Sequence, residues 1–222
     1  MDENTYKTHV FLDKLLAKED YKSNRLWREH QTMQFEYVKR LGLQSDHVFL
    51  DVACGPLRLG AALLPYLSNG LYYGMDINMS TIEAGVEKLE QDGIKPTNAV
   101  LFANDSFDFS PVSEQVDMAF SNSLFSHLTL NSILLCLVSL SRILRQGVSY
   151  HSTFFRLPEE ANWADPFSRK KWDRDFQTFA NKDPYHYKFS MIEFVADVAG
   201  FDVRLATDYG HPTQDMAVFT KR

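Results

Sequence analysis

The run D-V-A-C-G-P-L-R-L-G, Asp51 to Gly60, has the residue types needed to hold a small charged ligand. Gly55 allows a ligand close approach to the backbone. The start of a following helix offers unspent N–H groups and partial positive charge. Arg58, in the first turn, can pair with a carboxylate or phosphate, or remain solvated beside a plain tight turn. Roughly 20 residues after Gly55 comes Asp76, in Y-G-M-D-I-N. A carboxylate at that spacing can accept from both hydroxyls of a ribose, or simply favour a helix N-terminus. Asp105, in F-A-N-D-S-F, can accept from an exocyclic amine such as adenine's, or form an Asx turn. His127, in S-N-S-L-F-S-H-L, is a candidate general base because its ordinary pKa lies near neutrality. Its alternative is a structural role in a loop.

Other chemistries find no support. The remaining histidines, His9, His30, His47, His151, His186 and His211, pair with no His, Cys or Asp at metal-ligand spacing, so no metal site is expected. No G-x-S-x-G elbow or Walker motif occurs. The two cysteines, Cys54 and Cys136, cannot form a disulfide framework, which fits a reducing, cytoplasmic setting. The net charge of −6 comes without a basic stripe, so no nucleic-acid partner is expected. No apolar stretch is long enough to cross a bilayer, no leader-like segment is visible, and no membrane association is expected.

The elements that must position these residues follow from hydrophobic period. The 222 residues are 45% apolar, enough for one substantial core. Residues 1–45 read as a helical cap, with Phe35, Val38 and Leu41 at helical spacing and Gly42 at the end. Short apolar strands are predicted at Val48 to Val52, Leu71 to Ile77, Ala99 to Ala103, Val116 to Ser121 and Val148 to Phe155. Helices are predicted at Leu57 to Leu67, with Pro56 in its first turn, Ser80 to Gln91 and Asn131 to Leu144. Apolar strands alternating with helices indicate an α/β, doubly wound, mostly parallel sheet. The stretch 157–188 breaks the rhythm, being polar yet carrying Trp163, Phe167, Trp172, Phe176, Phe179, Tyr185 and Tyr187. A helix, Ser190 to Ala199, and two strands, Phe201 to Ala206 and Met216 to Thr220, follow. With no helix between them, these strands must pair antiparallel and end the sheet in a hairpin. Ligands of such sheets bind beyond the carboxyl ends of the strands.

With these loop signals in order, the chain resembles the class I S-adenosylmethionine-dependent methyltransferases over Phe35 to Lys221. That family has a seven-stranded sheet whose last strand is antiparallel. Its first motif is an acid followed by alternate glycines. Asp51 matches the acid and Gly55 the central glycine, while Ala53 and Leu57 replace the outer two. The run C-G-P-L-R-L-G is similar to a subset with C-G-x-L-R-x-G, in which the resemblance gives Arg58 the cofactor's carboxylate. It likewise gives Asp76 the ribose, Asp105 the adenine side with Ile77 and Ser106 flanking, and Asn122 a place near the methyl group. R-I-L-R-Q-G, Arg142 to Gly147, and A-G-F-D-V, Ala199 to Val203, look like the family's entries to its fifth and sixth strands.

The resemblance implies S-adenosylmethionine as cofactor and methyl transfer to oxygen or nitrogen of a small-molecule or glycan-like acceptor, by a single 1–222 domain acting as monomer or homodimer. Such a transfer needs alignment above all. The 157–188 segment is expected to be an inserted lid, with Tyr185, His186 and Tyr187 as acceptor contacts; its aromatics can equally pack as a satellite cluster under a long loop. A different class also fits, a non-catalytic S-adenosylmethionine- or S-adenosylhomocysteine-binding or scaffold protein that lost two motif glycines. A nicotinamide oxidoreductase fits less well, because a pyrophosphate needs closer approach than one glycine allows.

Overall fold

The computed structural model describes residues 25–171 and 174–222. The part of the helical cap that falls on residues 1–24, and Trp172 of the aromatic segment, lie outside the described residues. The chain divides into two compact units, Met1–Asp105 and Ser106–Arg222.

In the first unit, β1 (Val48–Val52), β2 (Leu71–Asp76) and β3 (Ala99–Ala103) pair in parallel with β2 in the middle. Their apolar runs go into packing: Phe49, Leu50, Val52, Tyr72 and Tyr73 are completely buried. Each such side chain contributes on the order of 2 kcal/mol by leaving water. The helices are α1 (Arg25–Arg40), α2 (Gly60–Tyr66) and α3 (Met79–Gln91). Asn78 caps α3, its side-chain oxygen accepting from Ser80 N at 3.1 Å.

The predicted start of α2 is corrected. Leu57 has φ +58°, a left-handed backbone that no helix continues through, so α2 begins three residues later and Pro56 stays in the turn. Two glycines let α2 and α3 pack close. A Cβ on Gly60 would stand 3.1 Å from the Tyr72 hydroxyl, and one on Gly85 would stand 2.7 Å from the Pro56 carbonyl carbon.

In the second unit, β4 (Met118–Ser121) runs parallel to β5 (Ser149–Leu157). Val116, predicted as the start of β4, makes only an isolated bridge to Leu144. The connection is α4 (Leu130–Ile143), capped by Thr129. After β5 come β6 (Phe167–Lys171), β7 (Arg174–Thr178), β8 (His186–Lys188), α5 (Phe189–Ala199), β9 (Phe201–Ala206) and β10 (Asp215–Lys221). β10 lies between β5 and β9 and is antiparallel to both. The expected terminal hairpin is therefore present, with β9 as its outer member. Phe125, Tyr150 and Phe219 form an aromatic cluster, centroids 5.8–6.0 Å apart, and all three are completely buried.

The 157–188 segment is organised rather than loose. Among the described residues β6 and β7 pair antiparallel with each other as a two-stranded sheet, and β8 adds in parallel to the end of β5. Phe176 packs on Phe155 at 5.4 Å. The Arg169 guanidinium lies over both Phe155 and Phe167 and donates to Arg156 O at 2.7 Å.

Candidate active site

The first unit carries the acidic and glycine-bearing loops. The turn after β1 places Ala53, Gly55 and Leu57, alternate residues, at φ +65°, +55° and +58°. The backbone thus keeps the alternating left-handed conformation although two of the three side chains are not hydrogen. Such a conformation disfavours L-residues by about 1–2 kcal/mol. Leu57 offsets this by complete burial, whereas Ala53 has only a methyl group with which to do so. Cys54 sits within this turn, its N–H donating to Met75 O at 2.9 Å. Burial pushes its thiol well above the usual range, which makes it inert.

Asp76 ends β2 and ties the neighbouring loops together. One carboxylate oxygen accepts from Gly55 N at 2.9 Å, the other from Asn78 N at 3.1 Å. Burial raises its pKa, and the backbone N–H groups of Asn78, Gly55 and Ile77 pull it back. With three backbone N–H groups on its two oxygens, the carboxylate still has acceptor capacity for a ligand donor. Asp51, on β1 and 4% exposed, accepts from the Tyr72 hydroxyl at 2.8 Å. Burial pushes its pKa up to about 7, against the Tyr72 hydrogen bond and the charge of Arg58, with Asp76 adding to the rise.

Arg58 is half-buried, its guanidinium 5.1 Å from the centre of the Trp27 ring. Gln31 Nε2 donates to Arg58 O at 2.6 Å. Both partners come from α1. On the same helix Gln34 is 2% exposed, and its Nε2 has no hydrogen-bond partner among the described residues. Ile77 is half-buried and Asp105 exposed at the end of the unit; Ser106, which opens the second unit, is exposed as well.

The second unit carries a polar turn after β4. Ser123 has φ +62°, and its N–H donates to Thr153 Oγ1 at 2.6 Å. Asn122 Oδ1 accepts from the Tyr209 hydroxyl at 2.6 Å, and its Nδ2 donates to Ser123 Oγ at 3.0 Å. Gln214 Nε2 donates to the same Ser123 Oγ at 3.2 Å. Four residues further on, His127 Nδ1 lies 2.7 Å from Asp183 Oδ1. A carboxylate there holds Nδ1 as the protonated nitrogen and leaves the lone pair on Nε2. The turn is therefore held by the 209–214 connection at one end and by the residues before β8 at the other.

Tyr185, His186 and Tyr187 are buried within the second unit. They are 7%, 0% and 1% exposed. His186 Nδ1 meets Thr178 Oγ1 at 2.9 Å and Nε2 meets Trp163 O at 3.0 Å, so both ring nitrogens are engaged inside the fold. The Tyr187 hydroxyl donates to Leu128 O. Asp183, in the same D-P-Y-H-Y run, is the residue the sequence reading passed over. Its partner lies 56 residues away, and no local pattern joins them.

Among the described residues no group of three or more His, Cys, Asp or Glu could hold a metal ion, and no helix is long and apolar enough to cross a membrane.

Residues 50–149, which include Asp51, the turn, Asp76, Asp105 and His127, match the family model of a methyltransferase domain. The fold extends beyond them. Magnesium protoporphyrin IX methyltransferase from Synechocystis, solved with bound S-adenosylhomocysteine, is 12% identical, with all of each chain covered and a TM-score of 0.67. A S-adenosylmethionine-dependent methyltransferase from Clostridium acetobutylicum is 12% identical, with 98% of this chain and 99% of that one covered and a TM-score of 0.63. Human N-acetylserotonin methyltransferase, in complex with S-adenosylmethionine, is 12% identical over 97% of this chain and 57% of its own, with a TM-score of 0.61. At these identities the likeness is one of fold: a Rossmann-like α/β architecture with a mostly parallel sheet. Residues 50–149 and the elements after them share that architecture.

Proposed function

We propose that this chain transfers the methyl group of S-adenosylmethionine to a small-molecule or sugar acceptor. The observation that carries the reading is Asp76, whose two oxygens are set by Gly55 N and Asn78 N beside a turn with left-handed residues at 53, 55 and 57. The residues present fit the cofactor's groups. Asp76 offers acceptor lone pairs for the ribose hydroxyls, and Arg58 a planar donor fork for the carboxylate. Asp51 is a buried carboxyl beside the turn at Ala53 and Gly55. Ile77, Asp105 and Ser106 supply the adenine side, and Asn122 the methyl side. When bound, the cofactor supplies an electrophilic methyl on a sulfonium that leaves as a neutral thioether. The protein therefore has little charge to stabilise and mainly positions the reactants.

His127 is the base in this reading. With Asp183 holding Nδ1, Nε2 accepts the proton of an acceptor hydroxyl or amine as the new bond to carbon forms. Tyr185, His186 and Tyr187 then shape the acceptor side through packing, by fixing the strand that follows Asp183.

The test is calorimetric titration of purified, dialysed protein with S-adenosylhomocysteine, with NAD as control. One-to-one binding of the first and none of the second is expected; no binding of S-adenosylhomocysteine overturns the reading. Turnover across a panel of hydroxylated and amine acceptors then separates an enzyme from a non-catalytic binder, the reading that the replaced glycines at 53 and 57 would favour.

A further inference from the structure

Arg58 is held by two residues of α1 that nothing in the turn itself requires. Trp27 and Gln31 are four residues apart, so they share one face of α1. The indole of Trp27 lies over the guanidinium, and the amide of Gln31 takes the main-chain oxygen of the same residue. Side chain and backbone of one arginine are thus fixed from the same helix. Gln34, three residues beyond Gln31, adds a buried amide N–H without a partner among the described residues.

An arginine in solution samples many rotamers, and holding it beforehand removes that cost from ligand binding. A stacked aromatic ring does this without using any of the five guanidinium N–H donors. Within this unit Arg58 also lies in electrostatic reach of the Asp51 carboxyl. The Trp27 ring thus sets the plane of a guanidinium whose charge is felt at that acid.

We propose that α1 is part of the cofactor's carboxylate site, with Trp27 and Gln31 as positioning residues that hold Arg58 for the amino-acid end of S-adenosylmethionine. This rests on the methyltransferase reading above. It assigns α1 a role in affinity for one end of the ligand and none for the adenosine end.

The experiment compares two ligands by calorimetry on the full chain. S-adenosylhomocysteine carries the amino-acid carboxylate; 5′-methylthioadenosine lacks it. Trp27→Ala is expected to weaken S-adenosylhomocysteine roughly tenfold, the scale of a cation–π contact with a desolvated partner, while leaving methylthioadenosine within about twofold. Gln31→Leu shifts the same ratio in the same direction and serves if Trp27→Ala does not fold. Trp27→Phe, which restores a ring, recovers much of the loss. In an Arg58→Met background, Trp27→Ala produces no further loss, because both act on one interaction. Equal weakening of both ligands, or of neither, overturns the proposal and leaves the cofactor reading standing. Failure of the unaltered protein to bind either ligand overturns both.

Discussion

His127 and Asp183, 56 residues apart in sequence, meet at 2.7 Å between Nδ1 and Oδ1. Both are partly accessible, at 22% and 26% side-chain exposure, whereas the neighbouring His186 is sealed with both nitrogens engaged. Of the two histidines tied to this segment, only His127 combines accessibility with a carboxylate that orients it. His127→Ala is expected to lower kcat by about 10²–10⁴, the usual contribution of a positioned base, with the Kd for S-adenosylhomocysteine unchanged. Asp183→Asn gives a smaller loss in kcat. A His127 variant with full kcat removes the base from the mechanism.

His186→Phe separates structure from chemistry in the same segment. It deletes a buried hydrogen bond to Thr178 Oγ1 and a part-buried one to Trp163 O, while Thr178 Oγ1 keeps Arg169 Nε and Phe167 O. Each lost hydrogen bond costs about 0.5–1.5 kcal/mol. The expected outcome is a lower midpoint in urea with the acceptor KM little changed. A large KM effect at full stability would return His186 to the acceptor site.

Asp76→Ala tests the carboxylate in its two roles. The Gly55 and Asn78 N–H groups lose their acceptor, so the ligand-free protein is expected to lose about 1–3 kcal/mol of stability. Affinity for S-adenosylhomocysteine falls further than stability accounts for, because the ribose acceptor is gone. Asp76→Asn keeps one oxygen for a backbone N–H and is expected to recover part of the stability and little of the affinity.

Ala53→Gly is expected to stabilise. The position already has φ +65°, so glycine removes a strain of about 1–2 kcal/mol and adds back roughly 0.5–1 kcal/mol of unfolded-chain entropy. A net gain of up to about 1 kcal/mol follows, read by chemical denaturation of the ligand-free protein. A loss would mean that the alanine methyl packs better than its surroundings suggest.

Asp51 and His151 make stability depend on pH with opposite signs. Burial raises Asp51 to about 7. Its folded state therefore binds a proton more tightly than the unfolded chain, and the stability it contributes is present at low pH and lost as pH rises from about 4 to 7. Burial, with Arg204 adding and Asp208 opposing, lowers His151 to about 4. Its contribution is present above about 6.5 and lost as pH falls towards 4. At about 1.4 kcal/mol per pKa unit, the two effects have ceilings of roughly 4 and 3 kcal/mol and largely cancel. Single variants expose the slopes. Relative to the parent, Asp51→Asn gains stability as pH rises through this window, and His151→Phe gains it as pH falls. Denaturation curves at a series of pH values for the ligand-free proteins check both; flat differences would contradict the burial argument.

Where burial is continuous, the chain announces its structure. Val48–Val52 is a strand at the predicted bounds, buried in four of its five residues, because an apolar run flanked by turn residues has no competing use. Asp51, Asp76 and Asn122 are legible for a similar reason, lying at or just beyond strand ends. The misreadings arise where distant partners decide. Leu57 takes a left-handed backbone only because its side chain can be fully buried, which no local propensity reports. The β6–β7 hairpin is hidden in a polar stretch because its packing partner is Phe155, on another element. Asp183 and Tyr209 have no local signature at all, since each is defined by a contact far along the chain.

The parallel pairing of β8 on β5 limits how the chain can be shortened. Phe155 stands opposite His186 and Leu157 opposite Lys188, so the intervening chain leaves one end of the pair and must travel back to enter at the other. No tight turn can do that; a parallel return needs a dozen residues or more. Trimming residues 158–182 to a short linker would therefore strip β8 from the sheet and cast Asp183 loose from His127.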